Sequence, residues 1–147
     1  MIVDDKIMHY VLYKKRTENE VRKKCSMLKY DDTQTEEIIS YLREAEYIND
    51  NVYIKKYIND VKKLKHMSVN QVKNDLIRRG VDSNLLDSSM IEEELCDFEL
   101  ESAEYLVNKK IKLGEDIEKI KRFLLNKGYS YSNVSKAIDN LENMEDN

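Results

Sequence analysis

NDLIRRGVDSNLLDSSM, residues 74–90, reads as a helix, a glycine stop and the start of a second helix, and RFLLNKGYSYSNVSKAI, residues 122–138, reads the same way. At a constant offset of 48 residues, Leu76 falls on Leu124, Ile77 on Leu125, Arg79 on Lys127, Gly80 on Gly128, Leu86 on Val134 and Met90 on Ile138. A chain with three glycines among 147 residues places two of them at one point of a repeated pattern. That point is the residue just past a helix, where the left-handed backbone strains any residue carrying a Cβ. Gly80 and Gly128 are therefore read as structural caps. Gly114 marks another turn, and none of the three has the GxGxxG or GxxxxGK context of a phosphate cradle.

Working backwards from each glycine, a capping residue opens the helix that the glycine closes. Ser68 with Gln71 three residues later forms a capping box, and Asp116 stands at the matching place before Ile120. Upstream, Thr17 with Glu20 and then Val21 gives the same signal, so a third copy begins the chain. In this copy Lys29 and Tyr30 take the places of Gly80 and Val81, and a longer connection, DDTQT, follows.

Each copy carries a leading helix before the cap, with apolar stripes at Ile7, Met8, Val11 and Leu12, at Ile54, Tyr57, Ile58, Val61 and Leu64, and at Ala103, Leu106 and Val107. A trailing helix follows each turn, with stripes at Ile38, Leu42 and Ala45, at Leu86, Met90 and Ile91, and at Val134, Ile138 and Leu141. The expectation is an all-α chain of three tandem three-helix repeats, residues 1–49, 50–95 and 96–147, stacked into an elongated, curved array.

Composition agrees: prolines are absent, 37% of residues are charged with both signs mixed, and 41% are hydrophobic. No run approaches a membrane span, and the opening MIVDDKIMHYVLYKKR lacks a signal-peptide core, so a cytoplasmic protein with no membrane partner is expected. Cys25 and Cys96 have no CxxC spacing, and His9 and His66 lie far apart, so neither metal nor cofactor is expected. The acidic string Glu92–Glu101 lacks the pattern of a calcium loop and is read as a solvated helix end and linker.

The aligned stops of form L-x-x-[KR]-G-[VY], in three helical repeats of this length, resemble the RecX family of bacterial recombination regulators. YINDNVYIKKYI, residues 47–58, looks like that family's join between first and second repeats, and DLIRRGV (75–81), AEYLVNKK (103–110) and FLLNKGY (123–129) agree further. Two departures stand out: the first repeat lacks the glycine turn, and Ile54 stands where alanine is common. The resemblance implies a protein that binds the RecA filament on single-stranded DNA and restrains its activity. A nucleic-acid-binding or adaptor repeat protein acting without RecA is the alternative.

No GxSxG, HExxH or Cys-His arrangement supplies catalytic chemistry, and an enzyme is not expected. Groove reading by the helix pairs is disfavoured as well. The stretches 35–46, 84–95 and 132–145, read as trailing helices, hold eleven acids against two bases and would repel phosphate. Positive charge gathers at the ends of the leading helices, at Lys14, Lys15 and Arg16, at Lys62, Lys63 and Lys65, and at Lys109, Lys110 and Lys112. Cations suit helix C-termini, but three equivalent clusters in stacked repeats also form a basic strip suited to a long, repetitive partner. With Arg78, Arg79 and Lys127 beside the turns, these are the candidate partner contacts of a chain expected to be monomeric, with weak, non-specific DNA binding. Tyr129 and Tyr131 are candidate interface anchors.

Overall fold

The computed structural model describes residues 3–88 and 91–145, which form nine α-helices: α1 (Asp5–Tyr13), α2 (Glu18–Met27), α3 (Asp32–Glu44), α4 (Asp50–Leu64), α5 (Val69–Arg78), α6 (Ser83–Ser88), α7 (Ile91–Lys112), α8 (Ile117–Asn126) and α9 (Tyr131–Glu145). They fall into three consecutive sets of three, and no strand occurs among the described residues. Met90, one of the aligned apolar positions, lies outside the described residues.

Local chemistry fixes the helix ends. Thr17 and Glu20 close a capping box on α2, as do Asp31 and Gln34 on α3. At α5 the Ser68 N–H donates to Gln71 Oε1 at 2.9 Å, and the Gln71 N–H returns to Ser68 Oγ at 3.1 Å. The far ends share one turn. In α5 the Val81 N–H reaches back to the Leu76 carbonyl and Gly80 to Ile77, and in α8 Tyr129 reaches Leu124 and Gly128 reaches Leu125. Gly80 and Gly128 accordingly sit at φ +98° and +92°. The first copy makes the identical pair of bonds, from Tyr30 to Cys25 and from Lys29 to Ser26, with Lys29 at φ 65°. The turn is present there without its glycine.

Helix α7 departs from expectation. Glu92–Glu101 is not a linker: it opens at the N-terminal end of one 22-residue helix and continues into its interior, and residue 95, the expected end of the second repeat, falls inside that helix. Ile91, Leu95, Phe98 and Ser102 are buried along one helical stripe that runs past the acids, so burial continues where charge suggested a break. Glu92, Glu93 and Glu94 consequently leave the trailing helix for the first turn of α7, where the helix dipole favours them. The trailing helix itself shrinks to the six residues of α6.

The chain divides into two compact units, residues 1–57 with 76–85, and residues 58–75 with 86–147. The three boundaries fall inside α4, α5 and α6 rather than between repeats. In the first unit α1, α2 and α3 enclose Ile7, Val11, Val21, Cys25, Ile38, Ile39 and Leu42. Burial pushes the Cys25 thiol above its ordinary pKa, so it packs as a small apolar group. In the second unit α7, α8 and α9 enclose Ala103, Val107, Ile120, Leu124, Tyr129, Val134 and Ile138. The stripes read from sequence are trimmed at their edges: Leu12, Ala45 and Leu64 are exposed, because each lies at or near a helix end where no neighbouring helix covers it.

Candidate partner-binding surface and the joints behind it

The two glycine turns are docking sites for the preceding repeat. In the first unit Thr17 is fully buried, and its hydroxyl accepts the Glu20 N–H while donating to the Arg79 carbonyl at 2.7 Å. The next N–H, of Glu18, donates to Asp50 Oδ1 at 3.0 Å. A Cβ on Gly80 would stand 2.5 Å from the Asn19 Cβ.

The second unit repeats the arrangement. Ser68 donates to the Lys127 carbonyl at 2.8 Å, and the Val69 N–H donates to Glu99 Oε1 at 3.0 Å. Asn70 donates its amide to the Gly128 carbonyl at 3.1 Å, and a Cβ on Gly128 would lie 2.9 Å from the Asn70 Cβ. The glycines therefore serve two purposes, the left-handed turn and the close approach of an asparagine two residues after a hydroxyl cap. Lys29 is exposed at the corresponding turn of the first copy, so there a Cβ costs only backbone strain, about 1–2 kcal/mol.

Asp116 occupies the N-cap position of α8 with extended backbone, but its side chain makes no cap hydrogen bond. It is exposed, and, unlike Thr17 and Ser68, a carboxylate has no proton to give a facing carbonyl.

The expected basic contacts separate into two kinds. Lys62, Lys63, Lys65, Lys109 and Lys112 are exposed, and among the described residues they form no ion pair. Others are held within the protein. The Arg79 guanidinium donates to the Tyr53 hydroxyl at 3.1 Å and lies 4.8 Å from the Tyr57 ring centre. Lys110 sits 3.9 Å over the Phe123 ring and pairs with Glu115 at 3.2 Å, and Lys127 lies 5.7 Å from the same ring. Arg16 stacks 3.8 Å over Tyr10 and donates to its carbonyl. Arg78 is exposed at the end of α5. Cation and ring attract through the ring quadrupole, an arrangement that charge spacing along the chain cannot reveal.

Tyr131 is exposed as an anchor requires, whereas Tyr129 is 3% exposed. Burial and the nearby Glu99 carboxylate push its phenol far above the usual tyrosine range. Tyr129 is a core residue.

Sequence reasoning missed the buried Glu99, 3% exposed, whose second carboxylate oxygen accepts the Asn133 amide. No local pattern marks Glu99, because its partners Val69 and Asn133 lie 30 and 34 residues away along the chain. Among the described residues no group of three or more His, Cys, Asp or Glu is placed to hold a metal ion, and no helix is long and apolar enough to cross a membrane.

No protein-family model matches the chain. A regulatory protein RecX of Finegoldia magna is 31% identical over 141 residues, a match covering 91% of this chain and 68% of the relative. The chain belongs to the RecX family. The corresponding Clostridium botulinum protein is 33% identical over 88% of this chain and 64% of its own length, so the chain spans about two thirds of that relative. The crystal structure of RecX from Lactobacillus salivarius superposes with a TM-score of 0.84, at 26% identity over 94% of this chain and 93% of that one. RecX relatives are named as regulatory proteins, not as enzymes.

Proposed function

We propose that this chain binds the RecA filament assembled on single-stranded DNA and restrains its recombinase activity, acting in recombination and the SOS response as a cytoplasmic monomer without catalysis of its own. Membership of the RecX family through all three repeats is the observation that supports the reading. The free lysines Lys62, Lys63, Lys65, Lys109 and Lys112 are its favoured contacts, and Arg78 is a further one. Arg79, Lys110 and Lys127, already held by aromatic rings, contribute less.

A filament presents the same surface at intervals, so repeated clusters raise one another's effective concentration. Single charge changes should be mild, since exposed pairs contribute about 0–1 kcal/mol. Reversing Lys62, Lys63, Lys109 and Lys112 together to Glu should abolish co-sedimentation with RecA on single-stranded DNA and release RecA ATP hydrolysis. A combined variant that folds and restrains RecA like the parent would refute the basic contacts. Parent protein that sediments with bare DNA and ignores RecA would instead establish the reading without RecA, which the unpaired lysines favour.

A further inference from the structure

The His66 and Tyr105 rings stack with centroids 3.8 Å apart and planes 11° apart, yet both side chains are open to solvent, Tyr105 by 47%. Each ring thus has one face covered by the other. Lys62, Lys63 and Lys65 lead directly into His66. On α7, Lys109 stands one turn and Lys112 two turns beyond Tyr105. Residues four apart are neighbours on a helix surface, about 5–6 Å between Cβ atoms, so α7 presents a ring followed by two ammonium groups. Glu101 closes the strip one turn before Tyr105. The rings are nearly parallel, lysines precede His66 and follow Tyr105 along the chain, and those lysines are unpaired among the described residues, although Glu101 and Glu104 also lie within a turn of Tyr105.

We infer that the His66–Tyr105 stack is a base-stacking platform for single-stranded DNA, with Lys65, Lys109 and Lys112 holding the flanking phosphates. A nucleobase extends the two-ring stack, and stacking accepts any base because every base has a π-face. The lysines supply the salt-sensitive, sequence-independent part of the binding. This rests on the proposed single-stranded DNA partner but not on RecA, so it is measured with the protein and DNA alone.

The test compares a fluorescent oligo-dT strand with an abasic strand of equal phosphate number at moderate salt, by anisotropy. The parent should prefer oligo-dT by about tenfold, or about 1.4 kcal/mol. Tyr105→Ala should lose the preference while binding the abasic strand as the parent does, Tyr105→Phe should keep it, and His66→Ala should reduce it. Lys109→Gln should weaken both strands equally. Equal parent affinity for the two strands, no binding to either, or a folded Tyr105→Ala that keeps the preference would each overturn the platform. Restraint of RecA ATP hydrolysis, measured on the same variants, would be untouched by that failure.

Discussion

The joint at Gly80 and the joint at Gly128 solve one packing problem with different acids. Both bring a hydroxyl cap to a backbone carbonyl and an asparagine to a glycine, and both need an acceptor for the first N–H of the docked helix. At Gly80 that acceptor is Asp50, on the first turn of α4 and half-buried; at Gly128 it is Glu99, in the interior of α7 and buried against Asn133. The longer side chain lets the acceptor come from the middle of a helix instead of its end. Its burial is compensated by a second donor, whereas Asp50 is partly desolvated, and its pKa is raised by that burial and by the nearby Glu18 and Glu20 carboxylates, against the lowering effect of the Glu18 N–H bond. A connection repeated within the chain thus tolerates two different acids, one half-buried and one buried.

The contrast is open to attack in four ways. Gly80→Ala should cost most, on the order of 3 kcal/mol, because backbone strain adds to overpacking against Asn19. Gly114→Ala, also at positive φ but with nothing within 4 Å, should cost only the strain, about 1 kcal/mol. Urea unfolding of both variants decides it, and equal losses would show that the asparagine contact is irrelevant.

Glu99→Ala strands the Val69 N–H and the Asn133 amide and should cost about 2–3 kcal/mol, whereas Asp50→Ala should cost about 1 kcal/mol since water replaces it. Thermal unfolding midpoints that fall equally for the two would erase the difference between the joints.

Ser68→Ala and Thr17→Val each remove a cap acceptor and a carbonyl donor, and each should cost about 1–2 kcal/mol. Amide hydrogen exchange at Gln71 and Glu20 should rise in step. Protection unchanged in either variant would show that its hydroxyl holds nothing.

The smallest effect concerns pH. Asp50 has its folded-state pKa raised above the ordinary aspartate value, so the folded state binds its proton first, and its contribution to stability falls as pH rises through the window between those two pKa values. Asp50→Asn keeps the acceptor for Glu18 and removes the buried charge. It should match or exceed the parent by about a few tenths of a kcal/mol near pH 7 and lose that advantage in acid. An Asn variant clearly weaker than the parent at neutral pH would reverse the assignment of a desolvation cost to Asp50.

The hydroxyl caps and the glycine turns are legible from spacing alone because each is local, whereas Asp116, read by the same spacing, makes no cap bond. Thr17, Ser68 and Gly80 announce themselves within four residues of the elements they end. Helix α7 was not legible, since acids at Glu92–Glu94 mimic a solvated end while the stripe through Leu95 and Phe98 carries the helix onward. The loss of Arg79 and Lys110 from the free basic set was equally hidden, because Tyr53, Tyr57 and Phe123 meet them only through the fold.

The hydroxyls of Thr17 and Ser68 bind main-chain oxygens, those of Arg79 and Lys127, and a main-chain oxygen is present whichever side chain its residue carries. Lys127 is therefore free to mutate without loosening the joint on which it sits. The side chain at that position can drift through evolution, or be redesigned at the bench, while the fastening between repeats stays the same; surface chemistry and architecture are written in separate atoms of one residue.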